Sequence, residues 1–123
     1  MIVGQLDENL QIIVPLVVVH KAATTEVAFL VDTGFNGFLS VSPELVRRLN
    51  LSVVDVQRGI TADGHVGFFE RVDVCVIWND RPHTLRAQVL DEPLIGTRLL
   101  SGNDLHVRWQ SGGEFRLTTI PAA

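Results

Sequence analysis

Phe29-Leu30-Val31-Asp32-Thr33-Gly34-Phe35-Asn36-Gly37-Phe38-Leu39 is an apolar run that stops at a carboxylate, turns through glycine and resumes as a second apolar run. The pattern predicts a strand, a tight turn and another strand. Apolar flanks lower the local dielectric around Asp32, so a carboxylate held there needs hydrogen bonds. Gly34 has no side chain, and its backbone can approach whatever the carboxylate holds. Asp and Gly are also favoured in ordinary turns. At average residue usage, Asp-Thr-Gly arises by chance in about 3% of chains of this length. The tripeptide alone is therefore weak; the apolar residues on both sides and the capped helix that follows carry the reading.

That helix is predicted over Pro43 to Asn50. Ser42 is a good N-cap, Pro43 suits the first helical position, Glu44 favours the positive end of the dipole, and Leu45 and Leu49 lie one turn apart. A second helical turn is expected from Thr97 to Ser101, stopped by Gly102 and Asn103. Elsewhere the period is two. Val72, Val74, Val76 and Trp78 alternate with Arg71, Asp73 and Cys75; Leu85, Ala87 and Val89 repeat the pattern, as do Leu105, Val107 and Trp109 against His106, Arg108 and Gln110. Turn signals separate these runs at Asp7-Glu8-Asn9, Ala62-Asp63-Gly64, Asn79-Asp80-Arg81-Pro82 and Ser111-Gly112-Gly113. Short strands with tight turns predict an antiparallel barrel or sandwich.

The chain has 123 residues, 46% of them hydrophobic and 20% charged, which is one domain of ordinary globular composition. No linker or low-complexity tract divides it. Ten Lys and Arg against 14 Asp and Glu give a net charge of −4, and only Arg47-Arg48 are adjacent, so no basic face for nucleic acid is expected. The most apolar run, Ile12 to Val19, is too short for a membrane span, is broken by Pro15 and follows Asp7 and Glu8 rather than positive charge. It reads as a strand, and no membrane partner is expected. Cys75 is the single cysteine; between Val74 and Val76 it reads as a small buried hydrophobe, which suits a reducing, cytoplasmic setting.

Other chemistries find little support. His20, His65, His83 and His106 are widely spaced, so no metal site is expected. Ser40, Ser42 and Ser101 lie in no Gly-x-Ser-x-Gly elbow, and Gly34-x-x-Gly37 opens a strand rather than a helix, unlike a phosphate or dinucleotide loop. Asp104 and Asp91-Glu92 are candidates for a second carboxylate, but Asp91 and Glu92 precede Pro93 without an apolar setting and read as a solvated turn.

With these residues in view, the chain resembles the retropepsin-like aspartic proteases, in particular the small single-domain forms of prokaryotes and retroviruses. Leu30-Val31-Asp32-Thr33-Gly34 matches their first element, and Leu94-Ile95-Gly96-Thr97-Arg98-Leu99-Leu100 matches the apolar pair, glycine and short helix of their last. Ile60 to Phe68, around Ala62-Asp63-Gly64, sits where their flap hairpin belongs. The resemblance spans residues 1–123 as one domain, and it explains an internal echo in which an apolar pair, a glycine and a helical segment occur twice.

The resemblance implies an all-β, closed antiparallel β-barrel with one or two short helices. It also implies an endopeptidase in which two aspartates share a proton and activate a water, with no cofactor and no metal. One Asp-Thr-Gly per chain implies a homodimer that sets Asp32 against Asp32 of the partner subunit. By the same resemblance, the Thr33 hydroxyl braces the two loops, the Gly34 amide hydrogen-bonds the carboxylate, and a flap at Ala62, Asp63 and Gly64 closes on an extended peptide or protein substrate. Phe35, Ile95 and Gly96 would border that substrate, and Glu114 to Ile120 with the N-terminal strand are candidates for the interface. Phe35 departs from the family, which mostly has a small residue there. A rival reading of the same fold is a non-catalytic peptide-binding or dimerisation module in which Asp32 is a turn residue.

Overall fold

A computed structural model describes residues 1–60 and 63–122. These residues form ten strands and two short helices: β1 Ile2–Leu6, β2 Ile12–His20, β3 Ala23–Val31, β4 Leu39–Val41, α1 Pro43–Leu49, β5 Val53–Ile60, β6 Val66–Trp78, β7 Arg81–Val89, β8 Leu94–Ile95, α2 Thr97–Leu100, β9 Asn103–Val107 and β10 Glu114–Thr119. Hydrogen bonding runs in the order β5-β6-β7-β4-β8-β3-β2-β1-β10-β9, and β6 also pairs with β2 through Val18↔Val76 and Val19↔Cys75. That last pairing closes β6, β7, β4, β8, β3 and β2 into a six-stranded barrel.

The barrel is mixed rather than wholly antiparallel, which corrects the sequence expectation. β3 runs parallel to β8 and β4 parallel to β7. Parallel neighbours need a crossover instead of a tight turn. Between β4 and β7 the chain makes that crossover through α1 and the β5–β6 hairpin. Antiparallel neighbours keep their short turns: at the β6–β7 join Asn79 and Asp80 both have positive φ (51° and 65°), the two-residue turn whose twist matches that of its strands.

Local rules account for the rest. The Ser42 hydroxyl accepts a hydrogen bond from the Leu45 amide at 3.2 Å, and Asn50 ends α1 in a left-handed conformation (φ 55°). Pro15, which has no amide to donate, falls on β2 between its pairing with β1 at Ile12 and Ile13 and its pairing with β6 at Val18 and Val19. Val72, Val74, Val76 and Trp78 turn inward to meet Phe29, Leu39, Ile95 and Phe115 in one core.

Three inward assignments need correction. Cys75 is half-buried on the outward face of β6. Leu105 and Trp109 are exposed, because among the described residues β9 is an edge strand paired only with β10, and Trp109 lies beyond its end. β10 is flanked by β1 and β9 on its two sides, so Glu114 to Ile120 offers no free strand edge to a partner; the free edge there belongs to β9. Among the described residues, no helix is long and apolar enough to cross a membrane.

Candidate active site

Asp32 stands at the end of β3, where Leu30 and Val31 pair in parallel with Leu94 and Ile95. The Leu30 amide donates to the Pro93 carbonyl at 2.9 Å, and the Asp32 amide donates to the Ile95 carbonyl at 3.0 Å. The chain then turns: the Phe35 amide donates to the Asp32 carbonyl at 3.1 Å, and the Gly34 amide donates to Asp32 Oδ1 at 2.8 Å. Oδ2 accepts no hydrogen bond among the described residues. The half-buried carboxylate is thus oriented through one oxygen and open at the other.

The two motifs singled out in the sequence meet here. After the Asp32–Ile95 contact, the Gly96 amide donates to Phe38 at 3.0 Å, Thr97 to Phe35 at 2.9 Å and Arg98 to Gly37 at 3.2 Å. Four backbone hydrogen bonds therefore clasp the Asp32 loop to the start of α2. A buried serine ties the neighbouring strands together: Ser40 Oγ donates to the Glu92 carbonyl at 2.6 Å and accepts from the Leu94 amide at 2.8 Å.

Phe35 explains two glycines. A Cβ on Gly37 would lie 2.7 Å from the Phe35 ring; one on Gly96 would lie 2.8 Å from that ring and 2.1 Å from the Gly37 carbonyl oxygen. The half-buried ring lies over both and borders a cleft of about 650 Å³ between the Asp32 loop and the β5–β6 hairpin. The hairpin turns Gln57, Gly59, Phe69 and Arg71 toward this cleft, while Val56, Val66 and Phe68 on its other face are exposed. Asp32 itself opens on an adjoining hollow of about 340 Å³, which it shares with Leu10, Ile12, Glu92 and Trp109.

The charged wall of the cleft is a network. Arg71 binds Asp55 through Nε at 2.7 Å and Nη2 at 2.6 Å, while Arg86 reaches Asp55 at 3.3 Å and Asp73 at 2.7 Å. The hydrogen bonds from the Arg71 guanidinium hold the Asp55 carboxyl below its ordinary range, and Asp55 in turn raises Arg71. Gln88 and Gln57 join across the same surface at 3.0 Å.

The expected site residues are distributed unevenly. Asp32, Thr33, Gly34 and Phe35 form one turn, and Gly34 and Phe35 line the cleft. Thr33 is exposed, and its hydroxyl makes no hydrogen bond among the described residues. Asp63 and Gly64 lie at the hairpin end, where Asp63 binds His65 at 2.8 Å and Gly64 has φ 86°; Ala62 falls outside the described residues. Ile95 and Gly96 do not border the cleft with side chains. The alternation of β8 sends Ile95 into the core, where it pairs with Val31 and Leu39, and Gly96 is buried beneath Phe35. Their contribution is the backbone clasp.

Sequence reading missed Arg58, Arg71, Arg86 and Arg98, which all line the cleft, and it set Glu92 aside as part of a solvated turn, although that residue comes near Asp32. The arginines lie on four different elements, so only strand register brings them together. Glu92 is exposed but borders the Asp32 hollow. Among the described residues, no three His, Cys, Asp or Glu side chains converge in a metal-binding group. Comparison of the chain with family models, with curated proteins and with solved structures finds no match in any of the three.

Proposed function

We propose that the chain is a retropepsin-like aspartic endopeptidase, active as a homodimer in which Asp32 and Asp32 of the partner subunit form the catalytic dyad. The observation that carries the reading is the clasp. An Asp-Thr-Gly turn, its carboxylate oriented by the Gly34 amide, is bound through four backbone hydrogen bonds to an Ile-Gly-helix segment and lies beside a cleft bounded by a β-hairpin. Rigid placement of this kind is what catalysis by positioned carboxylates requires. In the dimer one carboxylate takes a proton from a water, and its protonated counterpart polarises the scissile carbonyl as the water attacks. The hairpin covers the peptide and excludes bulk water.

The dimer face that serves this chemistry carries Asp32. Leu10 (42% exposed) and Trp109 (62% exposed) border the Asp32 hollow and supply apolar surface for the partner to cover. A lone half-buried thiol at Cys75 is compatible with a cytoplasmic setting.

A second reading, a non-catalytic peptide-binding module on the same barrel, is favoured by one observation. Asp32 Oδ1 is engaged within its own turn, the ordinary use of an aspartate at that position, while the Phe35 ring occupies part of the cleft wall. Cleavage of an unfolded protein from about pH 3 to about pH 7, with Asp32→Asn compared at equal folded concentration, separates the two. Asn preserves the acceptor for the Gly34 amide, so the turn survives and only the chemistry is removed. Cleavage lost in Asp32→Asn supports the protease; a folded, dimeric and inactive native chain supports the module.

A further inference from the structure

The hydrogen-bonded order of the sheet runs from β5 to β9, so among the described residues those two strands are its free edges. An unpaired edge is a template for another strand. β5 interrupts its edge with the register shift between Val53 and Asp55, whereas β9 pairs with β10 along its whole length without a break. The direction of the free backbone groups on β9 follows from that register. The Ile120 amide donates to the Gly102 carbonyl at 3.0 Å, and the Arg108 amide donates to the Glu114 carbonyl at 2.9 Å. Hydrogen-bonded pairs alternate along an antiparallel ladder, so Asp104 and His106 also bond to β10, and the amides and carbonyls of Asn103, Leu105 and Val107 point outward.

The side chains of β9 are as unfinished as its backbone. Leu105 lies opposite Leu117, which is 1% exposed, on the face that packs on the core, yet it is itself 38% exposed because no described strand continues the sheet beyond it. Asp104 and His106 are exposed together on the other face, and neither makes an ion pair among the described residues. Arg116, opposite His106 on β10, is engaged by Glu114 at 3.4 Å.

We propose that β9 is the seam of a homodimer, pairing antiparallel with β9 of a second copy about a two-fold axis at Leu105, and that Asp104 and His106 make the strand recognise itself. Alignment on Leu105 sets Asn103 against Val107 of the partner subunit, so every outward amide and carbonyl of the strand gains a partner. It also sets Asp104 against His106 of the partner subunit, and the two-fold repeats that pair on the other side of the axis. The Leu105 side chains cover each other. A one-residue slip turns outward groups against inward ones, and two-residue slips set Asp104 against Asp104 of the partner subunit or His106 against His106 of the partner subunit. The central alignment thus satisfies backbone and charge together. Trp109, just beyond the end of β9, borders the Asp32 hollow, so the seam adjoins the face that the endopeptidase reading requires. Self-pairing of β9 stands without that reading; its service to an Asp32 dyad rests on it.

The test uses two single variants of the full-length chain, followed by sedimentation over a range of concentrations. Asp104→Arg faces a guanidinium with the partner's imidazole, and His106→Glu faces two carboxylates with each other, so each variant alone should dimerise about tenfold more weakly than the native chain. An equimolar mixture of the two restores opposite groups at both positions and should recover the native dimer. Amide exchange supplies the second readout: Asn103, Leu105 and Val107 should be slow in the dimer and fast after dilution to monomer, with Asp104 and His106 slow in both. A native chain that stays monomeric at every soluble concentration, or a mixture that associates no better than its components, overturns the inference. A dimer in which the Leu105 amide exchanges as fast as in the monomer also overturns it, and with Asp32-dependent cleavage leaves the protease standing. A protected β9 seam in a chain without Asp32-dependent cleavage overturns the protease and leaves the inference standing.

Discussion

Gly96→Ala isolates the clasp from the carboxylate it serves. The backbone at Gly96 (φ −98°, ψ 176°) is one that alanine adopts freely, so the substitution adds only a methyl group. That methyl would sit 2.1 Å from the Gly37 carbonyl oxygen and 2.8 Å from both the Phe35 ring and the Phe35 carbonyl. Two of these contacts are backbone, so a change of rotamer cannot relieve them. The loop must move away from α2, weakening the hydrogen bonds from Gly96, Thr97 and Arg98. Overpacking costs about 1–3 kcal/mol and each weakened hydrogen bond up to about 1 kcal/mol, so a loss near 3 kcal/mol is expected. For a domain of this size that lowers Tm by roughly 12 °C. Denaturant titration of native chain, Gly96→Ala and Gly96→Ala/Phe35→Ala measures it, with the double variant recovering only the ring's share. Stability of Gly96→Ala within about 0.5 kcal/mol of native would refute the argument, because the clasp would then yield without cost.

Gly34→Ala is the complementary case: its Cβ would meet only Asp32 Oδ1, at 3.2 Å, so cleavage should fall well below native while the denaturation midpoint stays nearly unchanged. Ser40→Ala leaves the Leu94 amide and the Glu92 carbonyl without their buried partner, and equilibrium unfolding should register a loss of about 2–3 kcal/mol. Trp109→Ala should leave monomer stability intact, since the ring is mostly exposed, but shift sedimentation toward monomer and reduce cleavage in parallel. Asp55 has a folded pKa below its ordinary 3.8, so its ion pairs stabilise fully above that value and are lost as pH falls through the lower folded value. Stability of Asp55→Asn relative to native should therefore show a constant deficit at neutral pH that narrows in acid. A deficit unchanged down to about pH 2 would contradict this sign.

The features legible in the sequence were those set by neighbours along the chain. The Ser42 cap, the Asn79-Asp80 turn and the alternation of Val72, Val74 and Val76 are decided within a few residues, and each appears in the structure. Asp32 was marked by its apolar approach and by glycine. What was not legible depends on pairing across the chain. The parallel β3–β8 and β4–β7 contacts leave no local trace, because either direction buries the same alternate residues. Leu105 and Trp109 follow an inward pattern, yet they belong to an edge strand and its extension and face solvent. The arginine wall needs residues 58, 71, 86 and 98 together, and each alone looks like a solvated surface charge. Phe35 stands out in the sequence as a departure, whereas its dependence on Gly37 and Gly96 is visible only in the fold.

β6 is one uninterrupted strand of 13 residues whose first half forms the hairpin with β5 and whose second half is a stave of the barrel, paired with β7 and, at Val76, with β2. The hairpin is therefore cantilevered from the barrel wall, with no loop on the β6 side to act as a pivot. Its compliance must be spread along the strand, like that of a leaf spring, and the one irregularity available on the other side is the register shift between Val53 and Asp55. Amide exchange along β6 should accordingly slow in a gradient from Val66 toward Val72, rather than dropping at a single hinge. A methyl group removed at the distant Val18–Val76 seam would be felt at the hairpin end as a change in stiffness.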